Sequence, residues 1–428
     1  MKFRDFLSLL DSKGVLQHYK EPISTQLEIA SYLKKNDGKP ILFENVKESS
    51  IPVVGNLMSS MDLVAMGMGI EKGSFIEKMI SSIESAKGRS NIAISNKQAF
   101  SYIEPDLDAI PILKHYPLDQ GPYITSGVVF AERYGIRNIS FHRLAKLGKD
   151  RLVGRLVEKR DLHSMYIDAK EHGEDLDVAI SIGNSIGVLL AAATSVEKDF
   201  YELNIAGELE GRIEIVKAKS NNIYYPVDSE IVLEGKILHD ETAKEGPFLD
   251  LTETYDIVRE QPVFAIEKIA IKKEPIYHAL LPGGNEHKIL MGAPRAPTIY
   301  KSIKEAGVDV RDVYLTEGGS GWLDAVISIR KRSEGDPRLA IDAAIKGHKS
   351  LKKITVVDDD IDITNPNEVN YAVTMYWEAG KEVVMKGVKG SSLDPMATPD
   401  GIGSKLCIDA TRPLNVPEEK KLKMSRVR

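Results

Sequence analysis

Residues 125–143 read TSGVVFAERYGIRNISFHR, and the rhythm of this run decides the kind of fold to expect. Both halves are rich in β-branched and aromatic residues, so YITSGVVFAERYG and RNISFHRLAKLG read as strands. In the second half, period-two alternation puts Asn138, Ser140 and His142 on one face, with Arg143 on the other face or on a bend. A polar face in a strand-rich region is a ligand-facing pattern, although an exposed edge strand reads the same way.

The strand pattern extends outward from this stretch. GRIEIVKAKSNNIYYP, SEIVLEGKIL and PVFAIEKIAIKK are further strands, interrupted by helical stretches at DRLVGRLVEKRDLHSMYIDAKEHG and IGVLLAAATS. Before this region, FRDFLSLLDSKG is a helix stopped by Gly14, PILFENV and IPVVGNLM are strands, and MDLVAMGMG and FIEKMISSIESAKG are helices. Alternation returns after residue 300, from IYKSIKEAG through KKITVVDDDIDI to EVNYAVTMYWEAG. The 428 residues suggest about three domains. The expected fold is α/β (α+β) in three lobes: an α/β lobe over 1–110, a β-rich lobe over 111–300 and a second α/β lobe over 301–428. The tail LNVPEEKKLKMSRVR is charged and either frays or packs late.

Composition narrows the partners. The 57 basic and 63 acidic residues give a net charge of −6, which argues against nucleic acid but leaves room for a local basic pocket. A lone cysteine, Cys407, excludes an internal disulfide framework and multi-cysteine metal sites, and fits a reducing cytoplasm. Val178–Val196 is 19 residues without a charge, long enough to imitate a membrane span. Gly183, Asn184, Ser185 and Gly187 interrupt it, so a buried strand, a tight turn and a buried helix are expected, and no membrane association.

No P-loop, dinucleotide fingerprint, H-E-x-x-H or G-x-S-x-G run is present. Four clusters remain. NISFHR presents the polar face described above. KRDLH, within a helical stretch, reads from spacing alone as a solvated basic face. Glu202 in EKDFYELNIAGEL reads as a salt-bridged helix residue. EGPFLD sets Glu245 and Asp250 five positions apart across a Gly-Pro corner, a spacing that suits neither one helix face nor one strand face. A solvated turn, a metal site and an acid/base pair all fit that bend.

Taken together, the runs TSGVVFAERYGIRNISFHR, GRLVEKRDLH, YELNIAGELEG, YYPVDSEIVLEG and EGPFLD, in this order, resemble the UbiD-type decarboxylases. LLPGGNEH, AIKGH, VVDDDIDI, GSSLDP and SKLCIDATRP extend the resemblance toward the C-terminus. It implies a central lobe built as a split β-barrel of flavin-reductase type that holds prenylated FMN, with a divalent cation (Mn2+ or Mg2+) and K+ at the cofactor phosphate. By the same resemblance the metal ligands are Asn138, Glu202 and Asp161, with His163 the weaker choice for the third. Hard oxygen donors of this kind suit such a cation. Ser140, Phe141, His142, Arg143, Arg160 and Lys346 fall where family members contact the flavin.

The resemblance also gives EGPFLD a chemical reading: Arg143, Glu245 and Asp250 surround the reacting carbon. The planar fork of an arginine suits a substrate carboxylate and can hold an adjacent acid as well. One carboxylic acid must deliver a proton to the carbon that loses carbon dioxide, and a dry pocket favours the form that carries it. Asp250 is the expected donor, with Glu245 held by Arg143. The implied reaction is a reversible, non-oxidative decarboxylation through a covalent adduct with the flavin.

The expected substrate is an α,β-unsaturated acid. Short members of the family resemble the enzyme that takes trans-anhydromevalonate 5-phosphate to isopentenyl phosphate in a mevalonate pathway, and an aromatic acid such as a 4-hydroxybenzoate is the runner-up. A phosphorylated substrate needs further basic groups, for which His287, Lys288 and Arg295 are candidates, although a solvated polar loop is an equal reading of NEHKILMGAPR. A prenylated-flavin carrier or assembly protein is the non-enzyme alternative. The resemblance further implies a flavin prenyltransferase as cofactor supplier and a homo-oligomer, dimer or hexamer. Met375, Tyr376 and Trp377 either pack in that assembly or fill a local core.

Overall fold

In the computed structural model, which describes residues 1–398 and 400–424, the 125–143 run forms a hairpin. Val128–Arg133 pairs antiparallel with Ile136–Phe141. Tyr134 and Gly135 between them have φ of 53° and 81°, the double positive φ that two-residue hairpin turns favour. This hairpin ends a nine-stranded sheet. The order along the main path is Tyr123–Ile124, Leu144–Lys146, Arg151–Gly154, Arg259–Ile271, Ile231–Glu245, Leu176–Ile182, Val128–Arg133 and Ile136–Phe141. Ser101–Ile103 pairs at the side of Arg259–Ile271. The order does not close on itself, so the sheet is not a closed barrel.

Ile231–Glu245 and Arg259–Ile271 run 15 and 13 residues, and their register breaks at Glu234/Gly235 and again at Ile237/Thr242. Gly235 is obligatory at the first break: a Cβ there would lie 2.0 Å from the Ala265 carbonyl oxygen. The last register pair is Glu245↔Arg259, so residues 246–258 form the loop at the end of the two longest strands. That loop carries EGPFLD.

Residues 1–290 group as one compact unit and 291–428 as another. Within the first, one apolar core joins Leu33, Ile41 and Phe43 to Val178, Leu233, Phe264 and Tyr277. A small sheet ordered Gln17–Tyr19, Ile41–Phe43, Val53–Gly55 and Tyr277–Ala279 also ties the early chain to residues beyond 270. The second unit has a five-stranded sheet ordered Val310–Leu315, Asp324–Ile329, Lys353–Asp358, Ile402–Ala410 and Val383–Lys389, with helix Asp336–Gly347 linking two parallel strands.

Val178–Val196 resolves into strand Leu176–Ile182 and helix Ile186–Ala193. Gly183 makes the turn at φ 73°, and the Ser185 hydroxyl caps Val188 N–H. No described helix is long and apolar enough to cross a membrane. One sequence expectation is corrected. DRLVGRLVEKRDLH is not one helix: Arg151–Gly154 is a strand between Leu144–Lys146 and Arg259–Ile271, and the helix begins only at Asp161. Leu152 and Val153 are buried in the sheet, and packing in that slot outweighs their helix propensity. Of the charged tail, Glu418–Met424 is helical, and residues 425–428 lie outside the described residues.

Candidate active site

Arg143 stands two residues past the end of Ile136–Phe141, where the chain bends toward Leu144–Lys146. Its guanidinium meets three carboxylates. Nε and Nη2 donate to the two oxygens of Glu245, both at 2.9 Å. Nη1 donates to Asp250 Oδ2 at 2.6 Å, and Nη2 also donates to Asp256 Oδ2 at 2.8 Å. The Arg143 side chain is 10% exposed and that of Glu245 is wholly buried. Burial works against the arginine's charge, but its hydrogen bonds with Glu245 and the charges of Glu245, Asp250 and Asp256 outweigh it and raise its pKa. Removing one partner of such a pair leaves an uncompensated buried charge, at a cost of about 3–5 kcal/mol.

The loop geometry explains why two acids five residues apart converge. Glu245 ends its strand, Gly246 turns at φ 99°, and Gly246–Pro247 is cis. Phe248–Leu249 then pairs antiparallel with Tyr255–Asp256, so Asp256 lies opposite Phe248. The Phe248 ring lies 4.8 Å from the guanidinium carbon. Tyr123 donates to Glu245 Oε1 at 3.1 Å and packs on Phe248 at 4.6 Å between ring centroids. Burial, reinforced by Glu245, holds the Tyr123 phenol far above its ordinary pKa, so it stays a donor. Burial tends to raise the pKa of Asp256, but Arg259 and Arg143 lower it below the ordinary value. Asp250 is partly exposed, at 21%; Oδ2 accepts from Arg143 and Oδ1 from Leu251 N–H at 2.7 Å. Burial lowers the pKa of His287 below its ordinary value, and the charge of Asp250 opposes that shift.

A second polar group lies at the other end of NISFHR. Glu202, just before helix Leu203–Glu210, accepts from Asn138 Nδ2 at 2.9 Å and from Ile139 N–H at 3.0 Å. Glu202 is nearly buried, and burial pushes its pKa up to about 7. Among the described residues it has no ion-pair partner, while Asp161 adds a like charge. The Ser140 hydroxyl lies 2.9 Å from Asn138 Oδ1 and 3.0 Å from His142 Nε2. His142 is held neutral, at about 4, by burial; its Nδ1 donates to the Arg155 carbonyl, which leaves Nε2 an acceptor. One hydroxyl proton therefore faces two acceptors, and one of them is left for a ligand. A buried acid beside a second acid, with spare oxygen donors nearby, fits a hard divalent cation.

Family models for the 3-octaprenyl-4-hydroxybenzoate carboxy-lyase match in chain order: the N-terminal domain over 7–83, the Rift-related domain over 89–285 and the C-terminal domain over 288–410. The chain belongs to the UbiD family. Similar family members include the anhydromevalonate phosphate decarboxylase of Methanothermobacter thermautotrophicus, 39% identical over 97% of this chain and 98% of that one. The protein of the same name from Methanocaldococcus jannaschii is 44% identical over 90% and 91%. Among solved structures, the UbiD-class enzyme HmfF from Pelotomaculum thermopropionicum, in complex with FMN, superposes with a TM-score of 0.94 at 34% identity, covering 100% of this chain and 97% of that one. The apo 3,4-dihydroxybenzoic acid decarboxylase from Enterobacter cloacae gives 0.92 at 21% identity over 100% and 96%, a likeness of fold.

The UbiD-type residues expected from the sequence fall into these groups unevenly. The structure brings together Arg143, Glu245 and Asp250, and separately Asn138, Ser140, His142 and Glu202. Asp161 begins helix Asp161–Glu171 within the field of Glu202; His163, half-buried, follows on that helix. Phe141 is half-buried at its strand end, and Arg160 is exposed at the helix N-cap position. Lys346 belongs to the second unit, near the end of helix Asp336–Gly347, and Arg295 begins helix Arg295–Glu305 there. The expectation of a salt-bridged Glu202 is corrected, since burial strips it of such partners. Sequence reasoning missed Tyr123 and Asp256. TYDIVRE, six residues past Asp250, was the available signal for the second.

Proposed function

We propose that this UbiD-family chain is a prenylated-FMN-dependent carboxy-lyase that converts trans-anhydromevalonate 5-phosphate to isopentenyl phosphate and carbon dioxide. The observation that carries the reading is Arg143, nearly buried and clamped by Glu245, Asp250 and Asp256. Mere flavin binding has no use for a partly exposed acid poised on such an arginine. The substrate is supported by full-length relatives named anhydromevalonate phosphate decarboxylase. The cofactor is supported by HmfF structures in complex with FMN and with prFMN.

In this reading the lobes divide near residues 110 and 300, whereas the three family segments divide near 85 and 287. The bent nine-stranded sheet is the split barrel that receives the flavin. Asn138, Glu202 and Asp161 would hold Mn2+ or Mg2+, with K+ as a second cation, and Ser140, Phe141, His142 and Arg160 would complete the cofactor cradle. When bound, prenylated FMN supplies the electron sink that lets carbon dioxide leave. Arg143 and Tyr123 fix Glu245, and the Phe248 ring helps to exclude water. Asp250 delivers the proton. Each of its oxygens accepts one hydrogen bond in the resting geometry, which leaves a lone pair on each. A flavin prenyltransferase supplies the cofactor, and the cytoplasmic enzyme assembles with copies of itself. Exposed Met375 and Trp377 offer apolar surface for this, and an evolved form of HmfF is dimeric.

The test is Asp250→Asn in protein co-expressed with a flavin prenyltransferase, assayed anaerobically for carbon dioxide release. Native mass spectrometry first establishes cofactor loading. The expected result is full loading with turnover reduced at least about a hundredfold. Turnover that survives with the flavin bound refutes the proton-donor assignment, and loss of the flavin makes Asp250 structural.

A further inference from the structure

Three residues beyond Asp250, the same turn carries a second acid with other partners. Glu253 sits at φ 59°, uncommon for a residue with a side chain, and its N–H donates to the Asp250 carbonyl at 2.9 Å. The ends of such a turn lie within about 7 Å, so the two carboxylates leave one small scaffold. Lys288 Nζ donates to Glu253 Oε1 at 2.7 Å, and Lys34 Nζ lies 3.8 Å from Oε2. The Lys288 side chain is 12% exposed but that of Glu253 is 46% exposed. A nearly buried ammonium is thus neutralised by an acid with open access to water.

The surroundings keep this pair close to the reacting acids. A Cβ on Gly283 would lie 3.0 Å from Glu253 Cγ and 3.4 Å from the Asp250 carbonyl, so the two loops pack with no side chain between them. Lys34 also lies 5.4 Å from the Tyr116 ring centre, and the Tyr116 hydroxyl donates to the Pro282 carbonyl at 2.8 Å. Half-buried His287 feels the charges of Asp250, Arg143 and Lys288 together. Asp37, another acid near Lys288, is engaged by the Asn285 N–H. With Glu253 turned outward, Lys288 and Lys34 leave two ammonium groups beside the 250–253 turn, a charge that matches a phosphate monoester dianion.

We propose that Lys288 and Lys34 seat the phosphate end of the substrate, and that the Glu253 carboxylate holds that place until the phosphate displaces it. This rests on the reading of the substrate as a phosphorylated unsaturated acid. A purely structural Glu253 would act in the same direction as its lysine partner on mutation; a competitor for the lysines acts in the opposite direction.

The experiment is calorimetric titration of the flavin-loaded enzyme with isopentenyl phosphate, in wild type, Lys288→Met and Glu253→Gln, with flavin occupancy measured for each. Lys288→Met keeps the apolar stem and is expected to weaken binding about ten- to a hundredfold, while Glu253→Gln tightens it. No binding to wild type, no change in Lys288→Met, or weakening in both variants overturns the proposal. Turnover of the phosphorylated acid is measured alongside. Lysine-dependent binding without turnover refutes the decarboxylase reading and leaves the phosphate seat standing. Turnover with an unchanged KM in Lys288→Met refutes the seat alone.

Discussion

Replacing Tyr123 by Phe removes one hydroxyl from the candidate site and little else. The ring keeps its packing on Phe248, and Gly246 N–H, which lies 3.2 Å from the Tyr123 oxygen, retains Gln120 Oε1 at 2.8 Å. No buried donor is orphaned. What disappears is the 3.1 Å hydrogen bond to Glu245, a wholly buried carboxylate whose remaining support is the arginine fork. A hydrogen bond to a charged group contributes about 1.5–3 kcal/mol. Because Glu245 anchors the 246–258 loop, that loss appears as easier local opening. Native-state hydrogen exchange reads it at the amides of Leu249 and Asp250, which are bonded to Asp119 Oδ1 and the Thr254 carbonyl. Exchange there is expected to quicken about ten- to a hundredfold, with the amides of the second unit unchanged. A change below about twofold means that the phenol does not hold Glu245. Equal acceleration across the whole first unit means that the substitution acts on the core, and either outcome refutes the reasoning.

Two further expectations concern the fold. Gly235→Ala drives a Cβ to 2.0 Å from the Ala265 carbonyl oxygen and 3.0 Å from Ile266 Cα, backbone atoms that cannot rotate away; the expected cost is about 3 kcal/mol or more, seen as a fall in urea midpoint, against a change within about 0.5 kcal/mol for Gly88→Ala, where nothing lies within 4 Å. His18 bonds Glu44 Oε1 at 2.6 Å and Asp11 Oδ1 at 3.0 Å, and these acids, Glu44 first, raise its pKa above 6.5. Its folded pKa exceeds the unfolded one, so the stabilisation is complete below about pH 6.5 and is lost as pH rises through the folded value. Melting temperatures of wild type and His18→Gln should converge across that window, and a constant gap from pH 5 to 9 refutes the assignment.

How legible the site was depends on how each residue is placed. The Asn138–Ser140–His142 face followed from alternation along one strand, and the structure joins those three through the Ser140 hydroxyl. EGPFLD showed its Gly-Pro corner, but only the family resemblance supplied its partner, Arg143, more than 100 residues away in sequence. Tyr123 and Asp256 were not legible because register delivers them: Tyr123 pairs with Ala145, and Asp256 with Phe248. Neither pairing leaves a local pattern. The Arg151–Gly154 strand was missed for a related reason. Its apolar residues fit a helix period equally well, and only the flanking strands decide between the two.

The donor count of Arg143 revises one part of the sequence reading. A guanidinium has five N–H groups, and four are committed here: two to Glu245, one to Asp250 and one to Asp256. A single Nη1 donor remains, so the fork cannot grip a substrate carboxylate bidentately while all three acids stay in place. Asp250 is the partner to give way. Glu245 is wholly buried and doubly bonded, and Asp256 is shared with Arg259 at 2.7 Å, whereas Asp250 is held to the arginine by one bond and is partly open to solvent. In the proposed reading, an arriving carboxylate that replaces Asp250 at Nη1 releases the acid expected to carry the proton. Substrate binding and freeing of the proton donor are then a single exchange on one nitrogen.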